Sequence, residues 1–338
     1  MSSVGVFAPY TWDEATYLAC SLADYAESLG LDVSFLASQS RESGVHAGWD
    51  SRVLPCRTDF VDWCSRRSHI VWFDIQPRRL EQASDAGCRN LLVPLWHRLT
   101  PEHLAYAQLF DCVVCPHDEV RGLLRSYNAS SLLATCTCGL RVQEDPVPGN
   151  GDGLFVLLDS FTTRNFGVSL FCVLDRLLYS RPDLRVTVAC NRNWSRPALL
   201  KWEEVSKRYP QRLTRSRRLS CDERNLAYLR HDLTVSAVLR DNCGVFPLES
   251  LASGRPVAVF DAPPQNKLGA SGIVYIECGR RYNGNVPQAI PDLETTWESL
   301  FEATSPERLQ AIADCGDRQW LKSQIKRSRQ VWRGLWGV

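Results

Sequence analysis

Residues 240–256 read RDNCGVFPLESLASGRP. Asp241 stands eight positions before a second acid, Glu249, with Gly244 and Pro247 between them. A small-residue helical pattern, Gly254 and Pro256 follow. Such a loop leads backbone amides into a helix N-terminus, where N–H groups outside the helix ladder and the positive dipole end favour an anion. Carboxylates accept hydrogen bonds without donating any, which suits them to hydroxyls. An anion cradle flanked by hydroxyl-reading carboxylates fits a nucleotide-sugar. The same spacing also occurs in an ordinary strand–loop–helix with incidental acids.

Outward from this stretch the chain alternates strand and helix. Residues 4–8 and 32–37 read as apolar strands. Between them residues 13–29 place Ala15, Leu18, Ala19, Leu22, Ala26 and Leu29 at helical spacing. Thr11 and Glu14 have capping-box spacing, and Gly30 is placed to end the helix. Further strands are predicted at 69–74, 90–95, 111–115 and 132–136, with helices near 78–87, 101–108 and 117–127. Residues 143–153, QEDPVPGNGDG, have linker composition. A second series then begins, with strands at 154–158, 184–189, 233–237 and 256–260. Its helices are predicted at 165–180, 197–208, 222–230 and 247–253. Two βα series joined by a linker predict an α/β protein of two Rossmann-like, doubly wound domains, with a ligand cleft between them at the carboxyl ends of the strands. The first domain is expected over 1–146, the linker over 147–153 and the second domain over 154–316.

A length of 338 residues suits two such domains, and 44% hydrophobic with 23% charged residues is ordinary globular composition. A net charge of +1 supplies no whole-molecule attraction to nucleic acid or an acidic membrane, so any such attraction is local. No apolar run reaches membrane-helix length and the N-terminus lacks a signal pattern, so the expectation is a soluble, cytoplasmic protein. The 14 cysteines lack framework spacing and read as buried reduced thiols. Cys112, Cys115, Cys136 and Cys138 with His117 offer an imperfect zinc spacing, but FDCVVCP and LLATCTC read better as buried strands. No metal is expected.

The segment from Asp241 to Val257 resembles the E-x7-E region of the retaining glycosyltransferases of the family 4 type, which have the GT-B fold. Glu249, Gly244, Gly254, Pro256 and Val257 fall on the family's positions, and Asp241 stands where the family has Glu. PYTWDEATYLACSLADYAESLGLDVSFLA, LLVPLWH, FDCVVCPHDEVRGLL and the segment opening FVLLDSFTTRNFG are similar to successive family segments, in the family's order. The resemblance implies transfer of a sugar from a nucleotide diphosphate donor to a hydroxyl acceptor, with retention and without metal or cofactor. It assigns the ribose hydroxyls to Glu249, the donor sugar to His97 and Asp241, and the leaving diphosphate to Arg164. Gly244, Val245, Phe246 and Leu248 complete the donor-binding set. Glu249 is expected to be an open carboxylate whose replacement leaves the fold intact. The resemblance also implies a closing helix over 317–338 that packs back on the first domain.

Two departures keep an alternative in view. The family's glycine pair in the first loop is replaced here by Trp12-Asp13-Glu14, and no cation precedes Arg164 in Asp159-Ser160-Phe161-Thr162. A degenerate GT-B module that binds a ligand or partner without catalysis is one alternative. A GT-B nucleotide-sugar epimerase or phosphorylase is another. Trp12 and Asp13 are the first candidates for acceptor contact. The closing segment adds Lys326, Arg327 and Arg329 among Trp320, Trp332 and Trp336. Cations interleaved with aromatics suit a polyanionic acceptor, either nucleic acid such as a modified DNA base or an anionic lipid surface. They also suit a closing helix whose tryptophans pack inward while its cations are solvated.

Overall fold

A computed structural model of the chain describes every residue except Met1, Trp12, His97, Arg98, Asn128, Cys136, Arg141, 143–150, Asp152, Asp159, 191–193, 241–243, Ala270, Ser271, 284–285 and 315–317. The chain divides into two compact units, Met1–Leu140 with Ser323–Val338, and Arg141–Lys322.

The first unit alternates β1 (Ser3–Ala8), α1 (Glu14–Ser28), β2 (Asp32–Ala37), α2 (Phe60–Ser65), β3 (His69–Trp72), α3 (Pro77–Asp85), β4 (Arg89–Leu92), α4 (Pro101–Tyr106), β5 (Cys112–Cys115), α5 (Asp118–Arg125) and β6 (Ser131–Leu133). Its six strands run parallel in the order β2-β1-β3-β4-β5-β6. Strands such as CVVC in β5 are buried at every residue, as a parallel sheet covered on both faces requires. Gly5 in the middle of β1 is needed for packing, because a Cβ there would meet the Trp63 ring at 2.7 Å. The buried indole of Trp72 donates to Asn90 Oδ1 at 2.9 Å, so its polar edge is satisfied within the core. The helix cap differs from the expected box. Asp13, not Thr11, is the N-cap of α1, and its Oδ1 accepts from the Thr16 amide at 3.1 Å.

The second unit contains β7 (Leu154–Leu158), α6 (Ser160–Asn165), α7 (Gly167–Ser180), β8 (Val186–Cys190), α8 (Arg196–Arg208), β9 (Leu213–Arg217), α9 (Cys221–Arg230), β10 (Leu233–Ser236), α10 (Val245–Ala252), β11 (Val257–Phe260) and β12 (Ile273–Ile276). A hairpin, β13 (Cys278–Asn283) and β14 (Val286–Pro291), then leads into α11 (Leu293–Ala303) and α12 (Pro306–Asp314). Its six-stranded sheet is parallel in the order β12-β11-β10-β7-β8-β9. The core of this unit includes Leu154, Val156, Leu174, Leu177, Val188 and Phe260. The helix expected over 165–180 is α7, and a further short helix, α6, which the sequence reading did not include, precedes it with Phe166 between the two. β9 and the hairpin escape the sequence reading. LTRSR is a polar edge strand, and the hairpin has prolines at 287 and 291.

The last helix, α13 (Arg318–Trp336), belongs to the first unit from Ser323 onward. Ile325, Ser328, Trp332 and Trp336 form a buried stripe at helical spacing. Within that unit Trp332 Nε1 donates to Thr135 O at 3.1 Å, and Arg89 Nη1 donates to Leu335 O at 3.0 Å.

Candidate functional site

In the second unit the chain builds outward from β7 through β8 to β9, then returns to place β10 on the other side of β7. The carboxyl ends of β7 and β10 therefore flank a topological switch point, where doubly wound sheets bind ligands. Two segments converge there. After β7 comes α6, whose Thr162 is wholly buried and donates Oγ1–H to the carbonyl of Ala237, just beyond β10, at 2.5 Å. That bond fixes α6 against the end of β10, and Arg164 on the same short helix is exposed. After β10 comes α10, which opens at Gly244 with φ 68. Any side chain is strained in that left-handed conformation, and a Cβ would also press on Leu268 at 3.2 Å. Pro247 contributes no N–H and the Leu248 amide closes on Gly244 O at 3.0 Å, so the Val245 and Phe246 amides are those of the first turn outside the helix ladder. Val245 and Leu248 are buried and Phe246 is half-buried.

Glu249 lies on α10 and is only 7% exposed. Its Oε2 accepts from Arg224 Nε at 2.6 Å and from the Tyr228 hydroxyl at 3.0 Å, while Oε1 accepts from Arg224 Nη2 at 2.7 Å. Arg224 and Tyr228 stand four residues apart on α9 and so share one helix face. Burial, reinforced by the Glu249 charge, pushes the Tyr228 phenol well above its ordinary pKa and keeps it a donor. The expectation of an open carboxylate whose loss disturbs nothing is therefore corrected. Glu249 is the acceptor of a buried, bidentate ion pair that joins α9 to α10. Arg224 and Tyr228 are the residues that the sequence reading missed. Their signal was an Arg and a Tyr at i,i+4 on a helix two elements before the acid.

In the first unit the carboxyl ends of β3 and β4 border a small concavity open to solvent. Phe73, Ile75, Pro94 and Leu95 supply apolar walls, with Asp74 and His103 as its polar members. Beside it His117 packs on Trp96 with ring centroids 4.5 Å apart and meets Glu119 Oε2 through Nδ1 at 3.0 Å. Asp13 spends its carboxylate on the α1 cap and on the Thr11 hydroxyl at 2.9 Å. His97, Asp241 and Trp12 lie outside the described residues.

The basic closing segment also departs from the stacking expectation. Trp332 is 0% and Trp336 1% exposed, so neither ring is available to a base. Arg329 donates Nε–H to Cys138 O at 2.9 Å and lies over the Tyr25 ring, while Lys326 and Arg327 are exposed. Trp320, near the start of the helix, is half-buried, so beside Lys326 and Arg327 the helix shows solvent charge without a fully exposed ring. Cys112 and Cys115 are buried in β5, and burial pushes the Cys115 and Cys138 thiols up to about 12. Among the described residues no group of three or more His, Cys, Asp or Glu is placed to hold a metal ion, and no helix is long and apolar enough to cross a membrane.

Two parallel six-stranded sheets with flanking helices, met along the whole chain, define the GT-B fold of glycosyltransferases. Sucrose-phosphate synthase from Thermosynechococcus elongatus is similar over 100% of both chains, with a TM-score of 0.68 at 10% identity. The alpha,alpha-trehalose 6-phosphate synthase of Burkholderia multivorans is similar over 99% of this chain and 98% of its own, with a TM-score of 0.65 at 12% identity. MnaA of S. aureus, solved with UDP, is similar over 95% of this chain and 94% of its own, with a TM-score of 0.58 at 12% identity. No family model matches the sequence, and no curated protein matches it.

Proposed function

We propose that the protein is a glycosyltransferase that moves a sugar from a nucleotide diphosphate donor to a hydroxyl acceptor. One observation carries the reading: at the β7–β10 switch point an exposed arginine, Arg164, and the glycine-opened N-terminus of α10 stand on segments joined by the Thr162–Ala237 bond. A helix end and a guanidinium together suit a diphosphate. UDP in MnaA, a protein of the same fold, agrees with a nucleotide ligand here.

In this reading the bond between the anomeric carbon and the diphosphate oxygen breaks, and negative charge grows on the departing phosphate. Arg164 and the Val245 and Phe246 amides offset that charge most strongly in the transition state. The acceptor oxygen bonds to the anomeric carbon, and its proton passes to the departing phosphate on the same face, which gives retention. His97 and Asp241 contact the donor sugar. A carboxylate has about four acceptor positions, and Arg224 and Tyr228 take three of those on Glu249. The remaining lone pair of Oε1 receives a ribose hydroxyl. Glu249 is thus held in place by its ion pair and reads the nucleotide with what is left.

Incubation with a panel of UDP-, GDP-, ADP- and dTDP-sugars, with nucleotide diphosphate release as the readout, tests the proposal. Slow release from one donor, lost in Arg164→Ala, supports transfer. Conversion of the donor to an epimer without release selects the epimerase alternative. Binding of nucleotide without turnover of any donor selects the non-catalytic module.

A further inference from the structure

The carboxyl ends of β8 and β9 take no part in the donor reading, and they carry an unbalanced set of charges. β9 is the edge strand, and Arg215, Arg217 and Arg218 fall within four residues at its end. The Arg215 guanidinium carbon lies 3.6 Å from the Trp194 ring centroid. Trp194 is 8% exposed, boxed by Phe171 at 5.1 Å and Trp202 at 5.0 Å. Among the described residues its buried Nε1 has no hydrogen-bond acceptor, and the same holds for Nε of Arg215. Two adjacent buried donors without acceptors call for an explanation, since native interiors leave few such groups. Charge compounds the case. Burial lowers the Arg215 pKa, and the next contributor is the like charge of Arg217 rather than a carboxylate.

Two further observations locate the imbalance. Trp194 directly precedes the N-cap of α8, a 13-residue helix with no acid in its first turn, so the positive helix end faces no negative side chain of its own. Arg218 has φ 49, the one non-glycine residue with positive φ among the described residues. Strained backbone of this kind persists where the surroundings over-determine it.

We propose that the carboxyl ends of β8 and β9 form an oxyanion site, in which Arg215 and Arg217 grip a phosphate or carboxylate at the start of α8 over Trp194. A guanidinium fork matches such an anion bidentately, and stacking on the indole holds the Arg215 fork in one orientation. An oxyanion drawn to this surface supplies the negative charge that the described groups at the end of β9 and the start of α8 do not. β9 lies two strand spacings, about 10 Å, from β7, so the anion is separate from the donor diphosphate at the switch point.

Inorganic phosphate is the probe. The thermal midpoint of the full chain is followed against phosphate at constant ionic strength in chloride, for wild type, for Arg164→Ala, and for Arg164→Ala combined with Trp194→Phe, Arg215→Gln or Arg217→Gln. In the Arg164→Ala background, where phosphate binding at the switch point is weakened, phosphate is still expected to stabilise the chain, and adding Arg215→Gln or Arg217→Gln is expected to raise the phosphate needed for the same shift at least tenfold. Arg217 is exposed, so its replacement keeps the test decisive should Arg215→Gln or Trp194→Phe fold poorly. An unchanged phosphate response when Arg217→Gln is added to Arg164→Ala, or a wild-type response no greater than that to chloride, overturns the proposal. Loss of the response in Arg164→Ala alone would also overturn it, because the phosphate would then sit at the switch point. Repeating the titration with UDP present checks the separation: additive shifts mean a site apart from the donor diphosphate, and mutually exclusive shifts mean that phosphate binds at the switch point and overturn the proposal.

Discussion

Glu249→Ala should destabilise the second unit, and the size follows from the ion pair. The Arg224 side chain is 1% exposed, and in the variant it keeps neither carboxylate oxygen. The Tyr228 hydroxyl loses its acceptor at the same time. Removing one partner of a buried pair costs about 3–5 kcal/mol, far more than the pair contributes relative to an apolar substitute. For a domain of this size each kcal/mol moves Tm by roughly 2–4 °C, so the expected drop is about 6–20 °C. Glu249→Gln should lose less, because one carbonyl oxygen remains for Arg224. The double variant Arg224→Met, Glu249→Met should recover most of the loss, as apolar replacements of buried pairs do. Differential scanning calorimetry with urea melts as a check measures all three. A Tm for Glu249→Ala within about 2 °C of wild type would refute the reasoning, as would a double variant no more stable than the single. The comparison also decides how to read function: donor affinity lost in Glu249→Ala is ambiguous, whereas affinity lost in a stable double variant belongs to the carboxylate or its partner.

Arg164→Ala should reduce turnover of the donor more than its binding, because charge on the phosphate builds mainly in the transition state; equal losses in kcat/KM and Kd would make Arg164 an anchor only. Trp332→Ala, at a fully buried ring, should cost about 3–5 kcal/mol by urea melts, whereas Lys326→Gln with Arg327→Gln should stay within about 0.5 kcal/mol and weaken any DNA binding at low salt. Burial by itself raises the Asp24 pKa, but hydrogen bonds from His46 and Trp49 and the charges of His46 and Arg52 outweigh it, so the carboxyl lies below its ordinary value. Its stabilisation is therefore complete above the unfolded pKa of about 3.9 and is lost as pH falls through the folded value. Acid unfolding of Asp24→Asn should accordingly be shallower below about pH 4, and a superimposable acid limb would dismiss the linkage.

The sequence by itself determined the α/β class, because short apolar runs such as LFVLL and CVVC, too short for helices, read as strands buried on both faces, and segments of helical periodicity separate them. It also marked the loop opened by Gly244, since a left-handed residue before a helix selects glycine locally. Local signals failed where the stabilising partner is remote. β9 has no apolar pattern because an edge strand is held by backbone pairing to β8 rather than by burial. Glu249 read as an open acid because charge says nothing of what lies across a helix interface, and Arg224 and Tyr228 come from 25 and 21 positions away. The tryptophans of α13 read equally as stacking platforms or as core. For Trp332 and Trp336 only the seating of Ser323–Val338 in the first unit decided for core, since burying a ring and its N–H needs a surface with an acceptor on it, which Thr135 O provides for Trp332.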